Sequence, residues 1–278
     1  MSSGMIVQHN LSATFASHQL NITNDRLQKS LEKLSSGYRI NHAADDAAGL
    51  AISEKLRTQV SGLEQAARNV QDGISLIQTA EGGMEELHLI LQRMRTLAIQ
   101  SANDTNTASD RALIQVEVSQ LLSEINRMQT TVVFNTKQLL TGSYATGVGS
   151  VALHAGANAS QVLAVHIGSM STTGLGINGL NIATQTGSES AITLLSNAIN
   201  TVSRNRAELG AVQNRLEHTY NFVNTAMENM EASESRIRDV DMASEMTDYT
   251  AAQILQQAGT AMLSQANSKA SNVLALFQ

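Results

Sequence analysis

Two adjacent carboxylates, Asp45 and Asp46, with Arg39 just upstream, form the pattern in this chain that most suggests acid–base or metal chemistry. A carboxylate pair beside a guanidinium can share a proton or hold a hard cation. The same pair at the start of an apolar-periodic segment also caps a helix and compensates its dipole, and that is its expected role here. Gly174-Leu-Gly-Ile-Asn-Gly179 satisfies G-x-G-x-x-G. That motif cradles a dinucleotide only between a strand and a helix of a βαβ unit. Leu180–Ser188 after it reads as polar loop, so no nucleotide site is expected. The seven histidines are scattered and no H-E-x-x-H occurs. His154 and His166 could face each other across a hairpin, but two ligands do not make a metal site. Asn10, Asn21, Asn103 and Asn158 fit N-x-[ST], a pattern short enough to arise by chance. No nucleophile–base constellation is present, so neither an enzyme nor a cofactor is expected.

The elements that would position such groups are helices. Leu20, Leu27, Leu31 and Leu34 form one stripe at helical spacing, and Leu56, Val60, Leu63, Ala67, Val70, Ile74 and Ile77 form a longer one. After an apparent slip at Gly82-Gly83 it resumes as Met84, Leu87, Leu91, Met94 and Ala98. Ile114, Val118, Leu121, Ile125 and Met128 mark another helix. Leu195, Ile199, Val202, Leu209, Leu216, Val223, Met227 and Met230 keep nearly the same step late in the chain. Such sustained spacing predicts helices packed side by side. Ser101–Asp110 reads as a loop with Ser109 or Asp110 as the next N-cap. Thr141–Ser190 is rich in Gly, Ser and Thr, and Val151–His154 and Val162–Ile167 flank a turn cluster, which is a hairpin signal. The expected fold class is therefore mainly α: a long antiparallel helical bundle or coiled-coil rod with a small β-hairpin mid-sequence. The N- and C-terminal helices pair, and both termini lie at one end.

Composition narrows the function classes. The 278 residues contain no Pro, Cys or Trp, and aromatics are 3%. Without proline very long helices are permitted, and Leu, Ile, Val, Met and Ala must fill the core. The net charge of −6 offers no basic surface for nucleic acid. No apolar run approaches the roughly 18 residues that span a bilayer, so membrane insertion is not expected. The N-terminus lacks the pattern of a cleavable signal peptide. In residues 1–40 and 242–278 the few large apolar side chains fall short of offsetting the entropy of ordering the backbone. Neither end is expected to be ordered in the free monomer; each needs the other and neighbouring subunits to become helical.

Long strings at both ends carry a family resemblance. They include Leu34-Ser-Ser-Gly-Tyr-Arg-Ile-Asn41, Asp45-Asp-Ala-Ala-Gly-Leu-Ala-Ile52, Arg68-Asn-Val-Gln-Asp-Gly-Ile-Ser75 and Leu91-Gln-Arg-Met-Arg-Thr-Leu-Ala-Ile-Gln-Ser-Ala-Asn103. Toward the C-terminus they are Leu209-Gly-Ala-Val-Gln-Asn-Arg215, Gln253-Ile-Leu-Gln-Gln-Ala-Gly259 and Asn272-Val-Leu-Ala-Leu-Phe277. The chain closely resembles bacterial flagellin, in a short form lacking the variable outer domains. The resemblance implies an inner core of residues 1–44 and 239–278. It implies outer-core helices over 45–140 and 191–238, with the hairpin and tip loops in 141–190. It implies a secreted, extracellular subunit that polymerises into the flagellar filament, a rigid helical propeller for motility. Family members are exported unfolded and assembled at the tip, which suits the absence of cysteine.

Partners implied by the resemblance are further copies of the chain, a flagellar secretion chaperone bound through Ala251–Gln278, the export apparatus, and the hook-associated and cap proteins. Inner-core polymerisation is expected through Leu20, Leu27, Leu31, Leu34, Ile254, Leu255, Met262, Leu263, Val273, Leu274, Leu276 and Phe277. Arg93, Leu97, Gln100 and Glu117 match the surface that the Toll-like innate immune receptor recognises in flagellins. There the Arg offers bidentate contact and the Leu fills a small pocket. The ordinary reading of the same four is contact with a neighbouring subunit. Three departures stand out: Met1–Gly4 precede the family's usual start, Ser268-Lys-Ala-Ser271 replaces a common proline, and Thr96 replaces an acidic residue of enteric members. A hook–filament junction protein is the runner-up, and a secreted adhesin or immune-binding module is an alternative from another class.

Overall fold

The computed structural model describes residues 9–275, with side chains described through Lys269. Among the described residues are five helices: α1 (Leu11–Ser36), α2 (Ala47–Ala102), α3 (Ala108–Thr131), α4 (Gln185–Arg238) and α5 (Met242–Ala275). Two two-stranded antiparallel sheets lie between α3 and α4: β1 (Val133–Phe134) with β2 (Lys137–Gln138), and β3 (Val151–His154) with β4 (Val162–Val165). The chain forms two compact units. One comprises residues up to Thr58 together with those from Met230 onward; the other is Gln59–Asn229.

In the Gln59–Asn229 unit, strict seven-residue spacing on α4 places Leu195, Val202, Leu209, Leu216 and Val223 in the core, each at most 1% exposed. That is the repeat of a helix packed along partners at a shallow angle. On α2 the facing stripe is Val70, Ile77, Ala80, Met84, Leu87, Leu91 and Met94, all fully buried. There is no slip at Gly82-Gly83: Ala80 occupies the intervening core position and α2 runs on unbroken. Partner numbers descend along α4 as they rise along α2. Gln71 Nε2 donates to Tyr220 Oη at 2.9 Å, Arg206 pairs with Glu81 at 3.5 Å and Arg95 Nε donates to Ser196 Oγ at 3.2 Å. The two helices are therefore antiparallel. Helix α3 returns along α2 with Val118 and Ile125 buried.

Helix ends follow local chemistry. Asp46 Oδ1 accepts from the Gly49 N–H at 2.8 Å and caps α2. Asp45 Oδ2 accepts from the N–H groups of His42 (2.9 Å) and Asn41 (3.2 Å). Asp46 thus caps the helix as expected, whereas Asp45 binds the backbone of the turn before it rather than the helix end. The cap of α3 is Thr107 rather than Ser109 or Asp110. Its hydroxyl accepts from the Asp110 N–H while the Asp110 carboxylate accepts from the Thr107 N–H, a reciprocal capping box. Helix α4 starts at Gln185, inside the stretch read from sequence as loop through Ser188.

The hairpin forms in the register Val151↔Val165 to His154↔Val162. His154 therefore faces Val162, while His166 lies past the opposite strand end with Nδ1 3.1 Å from the Gly149 carbonyl. The histidine pair suggested by the sequence is not brought together. The hairpin sits on α2 where side chains are missing: a Cβ at Gly62 would lie 2.9 Å from Ala157 Cβ and one at Gly73 would lie 2.4 Å from Leu153 Cδ1. The smaller β1–β2 hairpin went unread. Asn135 and Thr136 both take positive φ (45° and 65°), the type I′ geometry that Asn favours. The G-x-G-x-x-G segment follows no strand directly and opens no helix; its Leu175 and Ile177 are buried as core anchors.

Candidate assembly site

In the terminal unit α1 and α5 pair antiparallel. Asn10 Nδ2 donates to the Ala266 carbonyl at 2.9 Å, Gln256 Nε2 donates to Asn24 Oδ1 at 2.9 Å, and Lys33 Nζ meets Glu245 Oε2 at 3.4 Å. Asn10 also caps α1, its side chain accepting from the Ala13 N–H. Gly37 ends α1 in the left-handed region (φ 76°).

The less exposed positions define the seam. On α5 they are Glu245, Tyr249, Ala252, Gln256, Gly259, Leu263 and Ala266, alternating by four and three. On α1 they include Ala13, Ala16, Leu20, Thr23, Leu27, Ser30 and Leu34. This is a heptad seam, yet most of its positions are small or polar. Thr23 and Ser30 are buried in it. Gly259 lets Leu20 close in, since a Cβ there would lie 2.8 Å from Leu20 Cδ1. Such a seam sets register and direction but buries little apolar area.

The large apolar side chains point elsewhere. Leu11 and Phe15 are 71% exposed, Ile254 65% and Met262 64%. Leu31, Leu255, Met242 and Met246 are also exposed. Leu11, Phe15, Leu20, Leu255, Gly259 and Met262 line an open groove of about 1040 Å³ along the pair. Exposed apolar surface of this extent marks an interaction face.

The structure therefore divides the residues expected in inner-core polymerisation. Leu20, Leu27, Leu34 and Leu263 sit at the seam; Leu31, Ile254, Leu255 and Met262 face outward. Leu31 leaves the stripe assigned to it because Ser30 takes the seam position. Only the backbone of Val273 and Leu274 is described, and Leu276 and Phe277 lie outside the described residues, as do Met1–Gly4. Leu11, Phe15, Met242 and Met246 were missed as site residues. Their signal was available as i, i+4 apolar pairs lying off the heptad positions.

A brace closes the other end of this unit. The Arg238 guanidinium stacks 4.7 Å from the Tyr38 ring centroid and its Nη1 donates to Glu54 Oε1 at 2.8 Å. Arg39 N–H donates to the Arg238 carbonyl and Val240 N–H to the Gly37 carbonyl. A Tyr38–Asp239 bridge thus ties the end of α1 to the start of α5.

In the second unit, Arg93 Nη2 and Nε both reach Glu117 Oε1, at 2.8 and 2.9 Å, linking α2 to α3 on an exposed face. Gln100 is exposed nearby on α2. Leu97 is 2% exposed and belongs to the core. It falls on the inward stripe with Met94, so it offers no surface to a partner, contrary to its expected place in the patch.

Among the described residues no group of three or more His, Asp or Glu could hold a metal ion, and no helix is long and apolar enough to cross a membrane.

Comparison with known proteins identifies the family. The bacterial flagellin N-terminal helical region matches residues 7–145 and the C-terminal helical region matches residues 192–277. The flagellar filament 33 kDa core protein of Treponema phagedenis is 50% identical over 286 aligned residues, covering 99% of this chain and 100% of that protein. A flagellin of Halalkalibacterium halodurans is 49% identical, covering 99% of this chain and 100% of its own. A crystal structure of Bacillus cereus flagellin is 32% identical over 60% of this chain and 94% of that one, with a TM-score of 0.49. With matches running nearly end to end at about half identity, the chain belongs to the bacterial flagellin family and is a structural subunit of the extracellular flagellar filament.

Proposed function

We propose that the chain assembles through the outward apolar stripe of the α1–α5 pair, each copy burying it against neighbouring copies as the inner core of the filament. One observation carries this reading: the seam between the helices is small and polar, while Phe15, Leu255 and Met262 stand exposed. A pair with so little apolar burial of its own gains its main hydrophobic stabilisation on assembly. In this reading residues 1–44 and 239–278 form the inner core. Residues 45–140 and 191–238 form the outer-core helices, with 141–190 as hairpin and tip. The assembled polymer transmits torque as a rigid helical propeller.

The chain leaves the cell unfolded through the export apparatus and folds at the growing tip under the cap, next to the hook-associated proteins. The absence of cysteine, which leaves no crosslink to jam an unfolded chain, supports that order of events. Before export, Ala251–Gln278 engages a secretion chaperone that covers the same apolar residues. The exposed Arg93, Gln100 and Glu117 contact a neighbouring subunit and serve as the surface for the Toll-like innate immune receptor.

The test is seeded assembly of the purified monomer, followed by electron microscopy with circular dichroism on the same samples. Long filaments with a gain in helicity are expected, and deletion of residues 255–278 abolishes them while the Gln59–Asn229 unit stays folded. Intact filaments from the deletion would refute the proposal. A monomer already fully helical that never polymerises would favour the binding-module reading.

A further inference from the structure

Asn178-Gly179 is the only Asn-Gly pair in the chain. It falls within the G-x-G-x-x-G stretch, which the function leaves unused, in the connection between β4 and α4. Both residues are exposed. Neither the Asn178 carboxamide nor the Gly179 N–H has a hydrogen-bond partner among the described residues. Gly179 sits at φ +74°, and a Cβ there would meet nothing within 4 Å, so no other part of the described chain packs against its α-carbon on that side. The flanks are fixed by contrast. Ile177 is fully buried and Leu180 is 5% exposed. Ile177 N–H donates to the Thr172 carbonyl at 2.9 Å, and Gln115 Nε2 donates to the Leu180 carbonyl at 3.2 Å.

We propose that Asn178-Gly179 is a site of spontaneous deamidation that marks the age of the subunit. Hydroxide removes the Gly179 amide proton, and that nitrogen attacks Asn178 Cγ. The C–N bond of the carboxamide breaks, ammonia leaves, and a five-membered succinimide remains. Water then opens either carbonyl, giving aspartate or isoaspartate. No oxidation or reduction is involved, and the co-reactants are water and hydroxide.

Three features favour this position over the other asparagines. Glycine offers no side chain to crowd the attacking nitrogen. The free amide has no hydrogen bond to give up. The loop does not hold the backbone in the helical conformation, in which each N–H is committed to a carbonyl one turn back. Asp72-Gly73 supplies an internal control, because it could form the same imide but lies inside α2 with Gly73 buried.

The consequence follows from the anchors. Isoaspartate carries the backbone through the side chain and adds one carbon between Ile177 and Leu180. With both neighbours seated in the core, the extra length displaces one of them. A subunit outside the cell has no access to cytoplasmic repair, so the damage accumulates.

The experiment incubates the full chain in warm, mildly alkaline buffer. Peptide mass mapping and isoaspartyl methyltransferase labelling then follow each asparagine. Asn178 is expected to convert several-fold faster than any other asparagine and faster than Asp72 isomerises, with the rate falling at mildly acidic pH. Asn178→Gln should remove most of the labelling. Aged wild type should melt at lower temperature than fresh protein, whereas Asn178→Asp, with a normal backbone, should melt like fresh wild type. An intact Asn178 while other asparagines convert, or equal labelling of wild type and N178Q, would overturn the assignment. Unchanged melting after full conversion would overturn the structural consequence. None of these readouts depends on filament assembly.

Discussion

Lys33 Nζ and Glu245 Oε2 meet at 3.4 Å across the α1–α5 seam, with the glutamate side chain only 12% exposed and the lysine 31%. A pair this sheltered lies between the exposed and the buried regimes. In a seam where few positions are large and apolar, it helps fix which turn of α1 lies against which turn of α5. Replacing either residue by alanine is expected to destabilise the paired helices by roughly 1–2 kcal/mol. The charge-swapped pair K33E/E245K should recover most of that loss. A double-mutant cycle from urea unfolding of assembled and disassembled protein checks it, and additive single effects with no recovery would count against the pair as a register device.

The start of α3 responds to acid with a definite sign. Asp110 is held below the usual carboxylate range, first by the Thr107 hydroxyl that donates to it at 2.7 Å and then by the Thr107 backbone N–H. A carboxylate depressed in the folded state contributes stability above its unfolded pKa, about 3.9, and loses it as pH falls through the folded value. Wild type and Asp110→Asn should therefore differ in thermal stability at neutral pH, with the variant lower. The difference should shrink to nothing in acid. A gap that persists at low pH would show that the charge is not what the capping box uses.

Much of this fold was legible because core positions repeat. Leu195, Val202, Leu209, Leu216 and Val223 announce a buried helix face by spacing alone, and the Val151 and Val162 runs announce the hairpin. What escaped was carried by small or polar residues. Ala80 keeps the α2 stripe continuous, and Ser30 displaces Leu31 from the seam. Thr107 takes the cap because its reciprocal partner Asp110 stands at the third helical position. The candidate site was half legible for the same reason. A list of apolar residues does not separate those that face a partner helix from those that face outward, and at the α1–α5 pair that separation decides the function. Leu97 shows the converse, since a residue matched by motif turned out to be core.

Outward and inward leucines should separate cleanly in mutagenesis. Leu91, fully buried in the second unit, should cost about 2–5 kcal/mol on truncation to alanine, because a cavity remains among its neighbours. Phe15→Ser with Leu255→Ser, both changed on exposed surface, should leave monomer unfolding nearly unchanged yet prevent filament growth from seeds. Thermal melts paired with sedimentation of seeded reactions read both effects. Filaments from the double serine variant would remove the outward stripe from the assembly interface.

The hairpin's seat on α2 makes a steric prediction. At Gly62 the obstruction is backbone as well as side chain: a Cβ would lie 2.9 Å from Ala157 Cβ and 3.2 Å from Ala157 Cα. Backbone cannot swing aside as a leucine tip can at Gly73, where Leu153 Cδ1 is the nearest atom. Gly62→Leu should therefore lift the turn off the helix, at roughly 1–3 kcal/mol for overpacking. Gly73→Ala should cost less, because the leucine can rotate and alanine is the better helix former. Hydrogen exchange at Ala155, whose N–H donates to the Gln161 carbonyl at 2.9 Å, reports the hairpin directly. Faster exchange there in Gly62→Leu, with α3 amides unaffected, is the expected pattern. Unchanged protection at Ala155 would mean that the hairpin is held by its own ladder and the core residues Val151 and Val165 rather than by its contact at Gly62.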